Sequence, residues 1–186
     1  MPYYGTKRKV FISFYKGDRT DVDAFIEKWA DQEGVFIPKA LGVSDNDDFI
    51  DSDDPEYVMG QIRKEYLADS SVTIVLLGKC THSRRYVDWE LKTSLRSGKV
   101  YTPNGLIGIL LPSAGEGAHL PQRFQDNWRR DGKCYARYYY SPQSVVELGG
   151  WIEDAYAART SRANLIQNDA DIMKYNKKCL VCGITH

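Results

Sequence analysis

The sequence predicts an α/β protein with a five-stranded parallel sheet and helices on both faces. Three observations lead there. Short apolar, β-branched runs recur five times along 186 residues. Segments with apolar residues at helical spacing separate them. No two runs are joined by a bare two-residue Asn-Gly-type turn, so crossovers connect the strands, and in parallel sheets these are right-handed. A chain of this length is expected to form one domain with a substantial core.

Val10-Phe11-Ile12-Ser13-Phe14 suits a strand buried on both faces. Asp18-Arg19-Thr20-Asp21 offers caps for a helix carrying Val22, Phe25, Ile26 and Trp29, with Gly34 as its stop. Val35-Phe36-Ile37 reads as the second strand. Residues 39–54 read as a long loop, and Asp45 to Glu56 holds seven acids and no base. That run lacks the glycine and bidentate glutamate of a calcium loop. Asp54-Pro55-Glu56 is a strong helix start, with Val58, Ile62 and Tyr66 as its stripe. Val72 to Leu77 is the third strand and Leu106 to Leu111 the fourth, ended by Pro112. Residues 113–133 read as a polar connection, long enough to suspect a functional or mobile loop. Cys134 to Tyr140 is the fifth strand. Ser141-Pro142 opens a last helix carrying Val145, Leu148, Ile152 and Tyr156. Residues 161–186, polar and weakly periodic, are expected to be a peripheral helix or a loosely held tail.

The chemistry-bearing stretch is Ser83-Arg84-Arg85-Tyr86-Val87-Asp88-Trp89-Glu90-Leu91. Val87, Leu91 and Leu95 mark a helix between Ser83 as N-cap and Gly98 as C-cap. Glu90 falls about 100° from the centre of that stripe, with Tyr86 one turn earlier on the same side. A carboxylate there, near the carboxyl end of a strand, sits where open α/β sheets place ligand chemistry. From spacing alone, a solvated helix charge is the favoured reading of Glu90. Arg84-Arg85 beside Lys79 could steer a phosphate-bearing ligand to this end of the sheet, or be solvated charges.

Composition excludes several classes. Lys plus Arg balances Asp plus Glu at 25 each, so charge points neither to nucleic acid nor to a membrane surface. No apolar run approaches the roughly 18 residues of a membrane span, and Val10 to Tyr15 is too short for a signal core, so a cytoplasmic protein is expected. The dinucleotide glycine fingerprint, the P-loop and the serine nucleophile elbow are all absent. Four cysteines are expected as reduced thiols. Cys179-Leu180-Val181-Cys182 with His186 offers three metal ligands where a closed zinc site needs four, so no metal is expected.

Lys9 to Phe14 as first strand, the acidic loop, and Ser83-x-x-Tyr86-x-x-x-Glu90 after the third strand resemble a TIR domain. The resemblance is to the bacterial TIR-like group that includes the TIR proteins of Thoeris antiphage defence. Tyr138-Tyr139-Tyr140-Ser141-Pro142 with Leu148, Trp151-Ile152-Glu153 and Ala155, and Leu120-Pro121 with Asp126-Asn127, are similar to that group too. The likeness covers about residues 8–158. It implies a flavodoxin-like, TIR-like three-layer sandwich over residues 1–160, with 161–186 as an extension. It also implies cleavage of the nicotinamide–ribose bond of NAD, with NAD as substrate and no cofactor. Glu90 takes the place of the catalytic glutamate, and Tyr86 stands where the family usually has tryptophan. Phe11, Ser13, Phe14, Tyr15 and Ser83 would border the substrate, and Asp45 would lie in the loop that gates the site or meets a neighbouring subunit. TIR-type self-association and a separate effector sensing the product are further implications. Two alternatives stand beside this: a non-catalytic TIR-like interaction module, and a nucleoside-processing enzyme of similar fold.

Overall fold

The computed structural model describes residues 3–40, 52, 54–98 and 101–186. Its five strands are β1 (Arg8–Ser13), β2 (Phe36–Ala40), β3 (Val72–Leu77), β4 (Gly105–Leu110) and β5 (Arg137–Tyr139). They pair in parallel in the order β2-β1-β3-β4-β5. This is the flavodoxin-like order, whose switch point lies between β1 and β3. Helices α1 (Arg19–Ile26), α2 (Pro55–Gln61), α3 (Arg85–Ser94), α4 (Gln122–Asp126) and α5 (Val145–Ser161) complete the layers. No helix among the described residues is long and apolar enough to cross a membrane.

Strand parity assigns the faces. Val10 and Ile12 of β1 join Val22 and Phe25 of α1 and Leu148 and Ile152 of α5 in one core. Phe11 points the other way, into a cluster with Val58, Met59 and Ile62 on the α2 side and Trp89 of α3. Val87, Leu91 and Leu95 pack with Leu77, Leu110 and Phe124 in a third cluster. Gly105 lets α5 approach β4, since a side chain there would strike the Ala155 carbonyl.

Most boundaries lie close to those read from sequence, and the differences have local causes. Gly34, at φ +63°, ends the π-helical continuation of α1. Asp54 caps α2 by accepting from the Glu56 and Tyr57 amides. Ser83 does not cap α3. Its hydroxyl donates to the Cys80 carbonyl, and the Arg85 amide donates instead to Asn176 Oδ1, 2.9 Å away. The helix stops short of Gly98 because the Asn104 amide takes the Ser94 carbonyl. α5 starts after Ser141-Pro142 because Ser144 accepts from the Glu147 amide while Glu147 accepts from the Gln143 amide.

Two expectations are overturned. Residues 113–133 are not merely a polar connection: they contain α4, with Arg123 and Phe124 fully buried. Residues 161–186 are neither a peripheral helix nor loosely held. After one 3-10 turn (Ala163–Leu165) they run as a strap across α4 and α3. Gln167 exchanges hydrogen bonds with Asn127, and the Met173 amide and carbonyl engage Asp88 and the Trp89 indole at 2.8 Å each. The polar side chains that suggest a tail are partners for this docking.

Beneath the strap lies a buried ion pair. Arg123 Nε donates to Asp88 Oδ1 at 2.9 Å, and the guanidinium also donates to Asn168 Oδ1 and the Ala170 and Asp171 carbonyls. Removing one member of such a pair strands a charge. Arg123→Ala should therefore cost about 3–5 kcal/mol in denaturant unfolding and expose residues 166–186 to limited proteolysis. An unchanged unfolding midpoint would show that the strap is held by other contacts.

Candidate functional site

Ser13, two residues after Phe11, shares its face and points at α3. Glu90 meets it there. Ser13 Oγ donates to Glu90 Oε2 at 2.5 Å, and neither residue is appreciably exposed. The solvated-charge alternative for Glu90 is thereby corrected: the flank of α3 on which it lies turns inward against β1. Burial pushes the Glu90 carboxyl up to about 8, and the Ser13 hydroxyl, which favours the ionised form, offsets this only in part.

The carboxyl lines a cavity of about 220 Å³ at the carboxyl ends of β1 and β3. Phe14 and Tyr15 form one wall, Tyr86 and Arg84 another, and Asn176 and His186 of the strap a third. A space of this size suits a nucleoside-sized fragment rather than a whole dinucleotide. Tyr86 is steadied edge-on against Trp89, 5.1 Å between ring centres.

Arg84 is the residue with unspent bonding capacity. It is buried, its Nε donates to the Cys80 carbonyl, and its guanidinium lies 4.0 Å over the Tyr15 ring. Both terminal nitrogens are buried without a hydrogen-bond partner among the described residues. A buried guanidinium left this way is ready to donate to a phosphate or another hydrogen-bond acceptor of a ligand.

Of the residues named from sequence, Ser13, Phe14, Tyr15, Tyr86 and Glu90 come together. Phe11 does not line the cavity; it is fully buried in the cluster behind it. Ser83 is also fully buried, tied to the Cys80 carbonyl. Asp45 lies outside the described residues. Asn176 and His186 were missed, because nothing in their spacing links them to Glu90. Arg84 carried a faint signal as part of the basic pair after β3.

The family model described as "Thoeris protein ThsB, TIR-like domain" matches residues 11–116, more than half of the chain. The chain belongs to this family. No curated protein matches it. The match to the ThsB TIR-like domain takes in the end of β1, where Ser13 lies, and α3, where Glu90 lies, so the cavity's carboxyl and its partner fall within the shared region.

The raised pKa makes Glu90 a stability liability at high pH. An unfolded glutamate ionises near 4.5 while the folded one holds its proton to about 8, so the folded state binds more protons between these values. Stability therefore falls as pH rises through that window. Glu90→Gln keeps an acceptor for Ser13 and removes the ionisation. It should be more stable than the parent at pH 8, by on the order of a few kcal/mol, and match it near pH 4. Parallel melting curves across that range would contradict the burial of this carboxyl.

Proposed function

We propose that this TIR-like protein cleaves the nicotinamide–ribose bond of NAD or a related nucleotide, acting in Thoeris antiphage defence. The single observation that carries the reading is the buried Glu90 carboxyl, held by Ser13 in an aromatic-walled cavity at the sheet's switch point. Family membership supports it, and so do the two terminal nitrogens of Arg84, which have no hydrogen-bond partner among the described residues and suit a phosphate-bearing substrate.

The chemistry follows from the site. Nicotinamide in NAD is a cationic leaving group, so the C1′–N bond breaks with its electron pair going to nitrogen and no acid is required. Positive charge passes to the ribose as an oxocarbenium-like centre. A carboxylate against that centre stabilises charge present mainly in the transition state. The cationic ring also favours ionisation of Glu90 on binding, which lowers the carboxyl from its empty-site value. Phe14, Tyr15 and Tyr86 exclude water from the reacting face. Water attacking C1′ and losing a proton gives ADP-ribose. A nitrogen or hydroxyl of the same nucleotide attacking instead gives a cyclic product, which a separate effector would sense.

The test is mass-resolved chromatography of NAD incubated with concentrated protein, beside Glu90→Gln. The parent should release nicotinamide and the variant should lose about 10²–10³-fold. For the parent, kcat/KM should rise with pH and level off above about 8, since this ratio reports the free enzyme's carboxyl. Undiminished release by the variant would remove Glu90 from the chemistry. Intact NAD with both proteins, including in lysate of phage-infected cells, would favour the interaction-module alternative.

A further inference from the structure

The strap ends in a turn whose side chains converge on the loop after β3. Cys179 and Cys182 are three residues apart in the turn, and the structure brings a third sulfur, Cys80, to meet them from 99 residues before Cys179. Cys80 Sγ lies 3.3 Å from Cys179 Sγ and 3.6 Å from Cys182 Sγ. Cys182 Sγ lies 3.2 Å from His186 Nε2. The ligand atoms of Cys80, Cys182 and His186 all fall within 4.8 Å of one another, the one such grouping among the described residues, and Cys179, outside that mutual grouping, reaches it through Cys80.

We propose that Cys80, Cys179, Cys182 and His186 form a closed zinc site that fastens the strap beside the candidate active site. Four ligands on a tetrahedron with zinc–sulfur bonds of about 2.3 Å place the sulfurs about 3.8 Å apart. The observed separations are near that figure and far from the roughly 2.05 Å of a disulfide. Cys80 moreover faces two sulfurs at similar distance, which suits a shared centre rather than a pairwise bond. Three thiolates and an imidazole with no open position select zinc in a structural role.

The surroundings are those of a metal-binding turn. The Val181 amide donates to Cys179 Sγ, the Gly183 amide to the Cys179 carbonyl, and the Cys179 amide to the Ile184 carbonyl. Gly183 at φ +73° permits that tight reversal. With Nε2 on the metal, His186 has Nδ1 left to donate, and Tyr15 Oη lies 3.3 Å from it. An outer partner of this kind fixes the imidazole's tautomer and orientation. Here the partner is itself a wall of the Glu90 cavity. The site needs no assumption about NAD, so the two proposals stand or fall separately.

The test uses the full chain, untagged, purified without chelator from zinc-supplemented cells. Elemental mass spectrometry should find about one zinc per chain, as a four-ligand closed site requires. Cobalt added to metal-stripped protein should give the intense visible bands of tetrahedral thiolate coordination. Cys182→Ser and His186→Ala alter exposed positions, so the fold should persist. Each should weaken metal binding by at least the 10–100-fold that an outer-shell loss costs. Cys134→Ser, whose sulfur contacts Arg137 and the Ala136 carbonyl instead, should bind metal as the parent does. Metal-free parent protein, variants that bind as tightly as the parent, or an intact mass two hydrogens lighter with Cys80 disulfide-bonded would each overturn the proposal.

Discussion

The buried Asp88–Arg123 ion pair is the constraint on which the site side of this molecule depends. Two charges withdrawn from water are tolerable only if their remaining donors and acceptors are filled. Here they are filled from the strap, by Asn168, the Ala170 and Asp171 carbonyls and the Met173 amide, so the pair is satisfied only when α3, α4 and the strap are all in place. It also sets the rotation of α3. Asp88 and Glu90 are two residues apart, about 200° around a helix, so turning one into α4 and the strap turns the other into β1. The geometry that satisfies the ion pair is thus the geometry that buries the candidate catalytic carboxyl beside Ser13.

That carboxyl carries an electrostatic cost that the rest of the fold covers. An acid pushed up to about 8 sits mostly protonated in the empty cavity at neutral pH. Under the proposed reaction its charge would appear when a cationic substrate arrives to share the space. Arg84 complements it, a guanidinium whose terminal nitrogens have no hydrogen-bond partner among the described residues. The cavity therefore carries both a carboxyl and a guanidinium in its lining, which is the pairing the proposed reaction calls for.

Legibility in the sequence followed the range of the interactions. The strands were readable because β-branched runs report their own burial, and α2 because Asp54-Pro55-Glu56 caps itself. Glu90 was readable only as a flank position. Its burial depends on Ser13, 77 residues earlier, and on whether the strand's parity points that serine inward. Phe11 has the same parity as Ser13, yet it is buried in the core cluster and is not part of the cavity lining. The α3 start was misread because its cap comes from Asn176, and no local pattern announces a cap supplied from 91 residues away. The same holds for Cys80, which looks like an isolated thiol until the strap returns to it.

The strap has a consequence for the order in which the protein is made. Its hydrogen bonds to α3 join residues 76 to 91 apart, and loop closure over such spans costs entropy that must be met before the contacts form. Synthesis runs from the amino end, so the sheet and α3 leave the ribosome well before Asn176 and His186. A nascent chain therefore has its carboxyl and its aromatic wall early and gains the third wall last, so the cavity is completed only after residues 166–186 have been synthesised and docked.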